Sequence, residues 1–249
     1  MSTLFDVFLK ERKQQHNSFI TTTQQPFSMS DMNPVTASIL AYYLSIASII
    51  AFAITGALAA IQSKKEMDII AVIILGVVTA VGGGTVRDLV LNLPVFWVQD
   101  PSMLVAAVGA SIATFFFRSG IRKSYSLLLY IDALANALLL MSVMKKVFMA
   151  GFAWEIAVTS GVLTGIGGGL IRDVLTGREN LLLSRELYAT PILVGALIYA
   201  ALLRLIPDST TLQLSVVIFV FLFRAAAIRF DLSLPSWLIA TDAHKKQQQ

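Results

Sequence analysis

The chain has 249 residues, of which 56% are hydrophobic and only 14% are charged, with a net charge of +4. A soluble domain carries about 25% charged residues, so the composition excludes an ordinary soluble fold and predicts a protein solvated by lipid. There is no cysteine, and the two histidines, His16 and His244, lie in the polar ends. We therefore expect no disulfide, no metal site and no imidazole-based active site.

Seven apolar stretches follow one another and predict an all-α integral membrane protein, because about 20 apolar residues span the hydrocarbon layer. Residues 1–37 form a polar extension without the apolar core of a signal peptide, and residues 231–249 form a polar tail. The extension reads either as a weak amphipathic segment or as a disordered tail. The membrane domain is expected over 38–230, with spans at 39–61, 69–93, 103–117, 125–144, 153–175, 187–203 and 211–230.

An internal repeat is the most informative feature of the chain. Residues 76–91 read GVVTAVGGGTVRDLVL and residues 161–176 read GVLTGIGGGLIRDVLT, which are identical at 8 of 16 positions at an offset of 85. Each copy lies on the middle helix of a three-helix unit, so repeat one covers 38–118 and repeat two covers 125–205. An odd number of helices per unit inverts the second unit in the membrane, as in many transporters. The seventh helix lies outside the repeat.

The orientation of the spans follows from their flanking basic residues, which accumulate on the cytoplasmic side. Ten Lys and Arg residues, including Arg118 and Lys123, flank one side, whereas only Lys145, Lys146 and Arg204 flank the other. We expect a multi-pass protein of the cell inner (plasma) membrane with its N-terminus outside and its C-terminus in the cytoplasm. Because the basic residues alternate with apolar runs, no nucleic-acid partner is expected.

The glycine triplets lie near the middle of spans two and five. Each glycine lowers helix propensity by roughly 1 kcal/mol relative to alanine, so the triplets predict either broken helices that line a polar path or close packing of two helices. A threonine precedes each triplet by three residues. Its hydroxyl would either replace part of an ion's hydration shell or bond back to a helix carbonyl. These residues are Thr79, Gly82, Gly83, Gly84, Thr164, Gly167, Gly168 and Gly169.

Five charges fall within or near the apolar layer, where charged side chains normally face a cavity or a partner. Because adjacent helical side chains diverge by about 100°, we predict ion pairs between repeats, Arg87 with Asp173 and Arg172 with Asp88. These pairs would either join the repeats or line and gate the path. Asp132 has no counterpart in repeat one, and either attracts a cation at the pore mouth or bonds a nearby Ser, Tyr or Arg.

The motifs GGGTVRD and GGGLIRD, followed by PVFWVQDP and RELYATP, resemble the prokaryotic branch of the trimeric intracellular cation (TRIC) channel family. Bacterial relatives are also catalogued as a glycine transporter domain that occurs in tandem. The resemblance covers about residues 38–230. It implies a homotrimer of seven-helix protomers, each with its own pore for monovalent cations, K⁺ above all, and with second and fifth helices bent at the triplets. Animal members add a phosphoinositide site, whose pattern is not identifiable in this sequence.

Three functions compete on these grounds. The first is a passive channel for K⁺ or Na⁺, and the second is a secondary transporter of a small amino acid such as glycine, because inverted repeats also suit alternating access. The third, a membrane enzyme, is disfavoured because the spans hold no His, no Cys and no nucleotide-binding motif. No cofactor is expected, and membrane lipid is the remaining partner.

Overall fold

The computed structural model describes residues 34–63, 66–117, 125–183 and 187–233. The predicted N-terminal extension up to residue 33 and the tail from 234 lie outside the described residues. So do Arg118 and Lys123, on which much of the predicted orientation depends.

Eight helices occur in the described part of the chain, seven of them long and one of a single turn. Asp68 begins the second of these helices, because its side chain accepts a hydrogen bond from the Ala71 amide at 2.7 Å. Asp100 begins the fourth in the same way, through the Ser102 amide at 3.0 Å. The helices are α1 (Pro34–Ile61), α2 (Ile69–Val90), α3 (Phe96–Gln99), α4 (Pro101–Phe116), α5 (Tyr125–Met149), α6 (Trp154–Thr176), α7 (Ala189–Leu202) and α8 (Thr210–Arg229).

Five of these helices, α1, α2, α5, α6 and α8, are long and apolar enough to cross a membrane. The third and sixth predicted spans are shorter than expected, at 16 residues for α4 and 14 for α7. At 1.5 Å per residue they reach only about 24 and 21 Å, whereas the hydrocarbon layer is about 30 Å thick. Both are the third helix of their repeat, so the shortening is itself repeated.

The packing of the helices follows the repeat. The first helices of the two units, α1 and α5, pack on each other, and so do the second helices, α2 and α6. The apolar core of repeat one lies between α1, α2 and α4, and a larger core joins α5 to α6, α7 and α8. A two-fold relation between the units requires contacts of this kind.

The two Arg-Asp motifs lie at opposite ends of the bundle. Lys146 of α5 binds Asp88 at the end of α2 at 2.8 Å, and Asp132, fourteen residues earlier on α5, binds Arg172 at the end of α6 at 2.6 Å. Fourteen residues of helix span about 21 Å. The inverted repeat is therefore confirmed, and we refer below to the Lys146 end and the Arg172 end of the bundle.

The fourth span was predicted to end before Lys145 and Lys146, and this boundary is wrong. Helix α5 continues to Met149, so both lysines are helical rather than part of a loop. Each has an acidic partner, Asp208 at 3.5 Å for Lys145 and Asp88 for Lys146. Because the charges are paired, the helix does not need to leave the apolar layer where they occur.

The orientation remains a prediction that single cysteines can test, since the chain contains none. Ala150 lies just beyond α5 at the Lys146 end and Glu179 just beyond α6 at the Arg172 end, and both are exposed. We expect a membrane-impermeant maleimide to label Ala150→Cys in intact spheroplasts, and Glu179→Cys only after permeabilisation. The reverse pattern would invert the predicted topology.

Candidate functional site: a cavity at the crossing of α2 and α6

A cavity of about 300 Å³ lies where α1, α2 and α6 meet. Its lining includes Tyr42 and Met149, which are 40% and 56% exposed at the Lys146 end, and reaches inward to Phe52, Thr79 and Thr164, which are at most 2% exposed. The cavity therefore extends from one end of the bundle to the point where the two repeats cross.

The glycine triplets do not break their helices, which corrects one of the two alternatives above. Both α2 and α6 are helical through them, and the middle glycines lie where the helices touch. A Cβ atom at Gly168 would lie 2.7 Å from the Thr79 carbonyl oxygen, and one at Gly83 would lie 3.1 Å from the Gly168 nitrogen. The triplets thus serve the close packing that small residues permit between membrane helices.

The remaining triplet glycines each face a different neighbour. Gly82 faces Ile171, and Gly167 faces the Cα atom of Gly83. Gly84 faces the Phe96 ring, whereas its counterpart Gly169 faces the Tyr188 hydroxyl. Of the six glycines, the cavity is lined by Gly83, Gly84 and Gly168.

Hydroxyl groups form much of the polar wall of the cavity. Thr79 donates to the Leu75 carbonyl at 2.6 Å, and Ser48 donates to the Ser45 carbonyl at 2.8 Å. The Thr164 hydroxyl lines the same cavity and has no hydrogen-bond partner in the described part of the chain. For Thr79, the alternative of a bond to a helix carbonyl is confirmed.

At the Lys146 end, Asp88 is fully buried and collects four donors. Arg87 contacts its Oδ1 at 2.7 Å, and Lys146 contacts both oxygens at 2.8 and 2.9 Å. The Phe96 amide donates to Oδ2 at 3.0 Å. Arg87, Lys146 and Phe96 also line the cavity, whereas Asp88 lies behind them.

At the Arg172 end, the guanidinium is fully buried between two acids. Its Nη1 donates to Asp132 at 2.6 Å and its Nε to Asp173 at 2.8 Å. Asp173 also accepts the Leu181 amide at 3.2 Å, and Asn136 donates to Asp132 at 3.0 Å. Asp132 therefore bonds an arginine, as one alternative held, and is not a lone acid at a pore mouth.

The predicted ion pairs between repeats are wrong. Arg87 binds its own neighbour Asp88, and Arg172 binds Asp173 and Asp132. The two motifs are too far apart because the inversion places them at opposite ends of α5. The divergence of adjacent helical positions does not prevent pairing, since the long arginine side chain folds back onto the neighbouring carboxylate.

Sequence reasoning missed Lys145, Lys146 and Asp208. Lys145 is 4% exposed and lies 3.5 Å from Asp208, which also accepts from Tyr199 at 3.0 Å and Gln213 at 2.7 Å. The signal was present, because the apolar pattern of α5 continues past the two lysines to Met149.

Comparison with known proteins identifies the family. The glycine transporter family profile matches residues 42–119 and 129–204, one match for each repeat. The UPF0126 inner membrane protein YadS of Escherichia coli K12 is 41% identical over 204 residues, which cover 80% of this chain and 97% of the relative. The chain belongs to this family.

Solved structures relate the family to the TRIC channels. The TRIC orthologue of Rhodobacter sphaeroides is 37% identical, with a TM-score of 0.73 over 77% of this chain and 98% of that one. A prokaryotic TRIC channel solved in 0.5 M KCl is 26% identical, with a TM-score of 0.71 over 79% and 100%. The chain is thus a prokaryotic TRIC family member and a multi-pass inner membrane protein.

The glycine contact in this TRIC family member predicts a sharp position dependence for alanine. Gly83→Ala or Gly168→Ala places a Cβ against backbone, which cannot yield as a side chain can, so we expect a loss of about 1–3 kcal/mol in the free energy of unfolding in detergent. Gly109→Ala is the matched control, because it lies inside α4 with nothing within 4 Å of its Cβ position. It should be neutral or stabilising by up to about 1 kcal/mol. Equal effects at all three sites would contradict the packing role.

The charge clusters predict which pairs are energetically coupled. Breaking the buried Arg172–Asp132 pair leaves an uncompensated charge and should cost about 3–5 kcal/mol. A double-mutant cycle with Arg172→Met and Asp132→Leu should give a coupling above about 1 kcal/mol in thermal unfolding. The control cycle, Arg172→Met with Asp88→Leu, joins opposite ends of the bundle and should be additive within about 0.5 kcal/mol. Strong coupling in the control would contradict the described geometry.

Proposed function

We propose that the protein is a monovalent cation channel, permeable to K⁺ and Na⁺, with one pore in each protomer between α2 and α6. The observation that carries this proposal is the hydroxyl-lined cavity at the crossing of the two repeats. Solved relatives of at least 25% identity that are described as cation channels support it.

The cavity wall favours cations because its hydroxyl protons are already used. Ser45, Ser48 and Thr79 each donate to a carbonyl of their own helix, at 2.8, 2.8 and 2.6 Å. A hydroxyl whose proton is engaged offers only oxygen lone pairs to whatever enters the cavity. Such oxygens replace water around a cation and have no donor left for an anion.

The basic side chains at the Lys146 end do not oppose cation entry as strongly as their number suggests. Arg87 and Lys146 share the carboxylate of Asp88, and Lys145 lies 3.5 Å from Asp208. Each ammonium or guanidinium therefore has an acidic neighbour that reduces its field in the cavity. The net excess at this end is one positive charge for three cations and two acids.

We further propose that the protein works as a homotrimer in the inner membrane, with its C-terminus in the cytoplasm. The R. sphaeroides relative is described as a trimeric channel. Lipid-facing helices such as α2 expose apolar side chains, including Val86, Leu89 and Val90, which suit contact with lipid or with a second copy.

Single-channel recording in planar bilayers tests the proposal. Purified protein in a KCl gradient should give unitary ohmic steps with a reversal potential near that of K⁺. Thr79→Val and Thr164→Val should lower the unitary conductance several-fold, since each removes a hydroxyl oxygen from the cavity wall. Thr114→Val is the control, because Thr114 is equally buried, donates to the Ala110 carbonyl and lies outside the cavity lining. A reversal potential near that of Cl⁻ would overturn the proposal.

A second candidate, a secondary transporter of a small amino acid such as glycine, is favoured by the family profile and by a cavity that reaches only one end of the bundle. A carrier presents its site to one side at a time. Glycine counterflow in proteoliposomes, without unitary current steps under the same conditions, would replace the channel with the carrier.

A further inference from the structure

The two ends of the bundle are equivalent in backbone but differ in how they are filled. The Phe96 amide binds Asp88, and the Leu181 amide, 85 residues later, binds Asp173 in the same way. The repeat therefore remains in register through both turns. Positions 85 residues apart on α2 and α6 and in these turns can be compared directly.

The comparison shows an open vestibule at one end and a filled one at the other. Gly84, Arg87 and Phe96 line the cavity at the Lys146 end. Their counterparts Gly169, Arg172 and Leu181 are not part of its lining, and Arg172 and Leu181 are only 0% and 2% exposed. The polar path thus stops at Thr164 and Gly168, at the crossing of the repeats.

Tyr188 occupies the space at the Arg172 end. It is 3% exposed, and its hydroxyl would lie 2.5 Å from a Cβ at Gly169, whereas Gly84 faces the Phe96 ring on the cavity wall. Behind it, Asp132 and Asn136 of α5 bind each other and Asp132 binds Arg172. Repeat one offers no such acid, because Ala47 stands at the position equivalent to Asp132.

Helix α8 holds Tyr188 in place. The Arg224 guanidinium lies 5.0 Å from the centre of the Tyr188 ring and donates to the Leu187 carbonyl at 2.7 Å. Arg224 is itself 3% exposed. Helix α8 follows the second repeat and has no counterpart among the helices described between 34 and 117, so this restraint acts at one end only.

We propose that Tyr188, held by Arg224 against the Arg172–Asp132 pair, is a gate that closes the Arg172 end of the path. The inference rests on the proposed function in that the cavity is taken as part of a path through the protomer. It assigns to the seventh span, which lies outside the repeat, the task of holding one half of a symmetric pore shut.

The closed arrangement is incompletely satisfied, as a reversible gate requires. Three buried polar atoms at this end, Asn136 Oδ1, Arg172 Nη2 and the Tyr188 hydroxyl, lack a hydrogen-bond partner among the residues that the structure describes. Buried polar groups without a partner are unfavourable. Water that entered on movement of Tyr188 would supply the missing bonds, so opening recovers interactions that the closed state lacks.

Cysteine accessibility tests the gate without relying on conduction. Thr164→Cys places a single thiol at the inner limit of the cavity, and an impermeant, cationic methanethiosulfonate reagent is applied to oriented membranes from each face in turn. Ala150→Cys and Glu179→Cys identify the Lys146 and Arg172 faces. We expect Thr164→Cys to react from the Lys146 face alone. Adding Tyr188→Ala should raise the rate from the Arg172 face at least tenfold.

Arg224→Gln provides an independent variant that leaves the tyrosine in place, and it should open the same face, with Arg224→Lys partly restoring closure. Tyr199→Ala is the matched control, because Tyr199 is as buried as Tyr188 but bonds Asp208 near Lys145. It should leave the rate from the Arg172 face unchanged.

Equal reactivity from both faces in the starting variant would overturn the gate. So would an unchanged rate from the Arg172 face in whichever of Tyr188→Ala and Arg224→Gln remains a monodisperse oligomer. A change of accessibility without K⁺ current would retain the gate and reject the channel, so the two failures are distinguishable.

Discussion

The close approach of α2 and α6 is the constraint on which the rest of the structure depends. At their crossing, Gly83 and Gly168 bring two backbones so near that a Cβ at Gly168 would lie 2.7 Å from the Thr79 carbonyl. Because the helices touch through backbone, Thr79 and Thr164 lie beside each other's helices at the inner limit of the cavity. The same crossing sends the two Arg-Asp motifs, four residues beyond the middle glycines, toward opposite ends. A larger residue at either glycine would move the motifs and the cavity wall together.

Each Arg-Asp motif terminates its helix as well as carrying charge. In both copies the aspartate accepts an amide eight residues later, from Phe96 or Leu181, and so fixes the turn that follows the helix. The arginine neutralises the buried carboxylate that makes this bond. Burying an isolated charge would be strongly unfavourable, so the arginine and the aspartate are needed together. This explains why the pair is repeated even though the motifs do not touch.

The sequence predicted the repeat, its inversion and the position of the motifs, because hydrophobic periodicity and the 85-residue offset are properties of the chain alone. It did not predict that the glycines would leave their helices intact, since the cost in helix propensity is offset by packing against a helix distant in sequence. Nor did it show that α5 continues past Lys145, because an acidic partner such as Asp208 is more than 60 residues away. Thr79 and the middle glycines were correctly placed near one another by symmetry. Tyr188 was missed, since it has no motif of its own.

A pore built from two inverted copies should be alike at both ends, and the difference arises in the elements that are not duplicated. Helix α5 supplies a cation, Lys146, to one motif and an acid, Asp132, to the other. The cluster of two cations and one acid at the Lys146 end therefore faces a cluster of one cation and two acids at the Arg172 end. A cation entering at the Lys146 end meets a repulsive rim, then neutral hydroxyl oxygens, then an acidic cluster that attracts it but is closed by Tyr188. Because α8 reaches only the Arg172 end, movement of this one helix is enough to change the path without disturbing the crossing of α2 and α6.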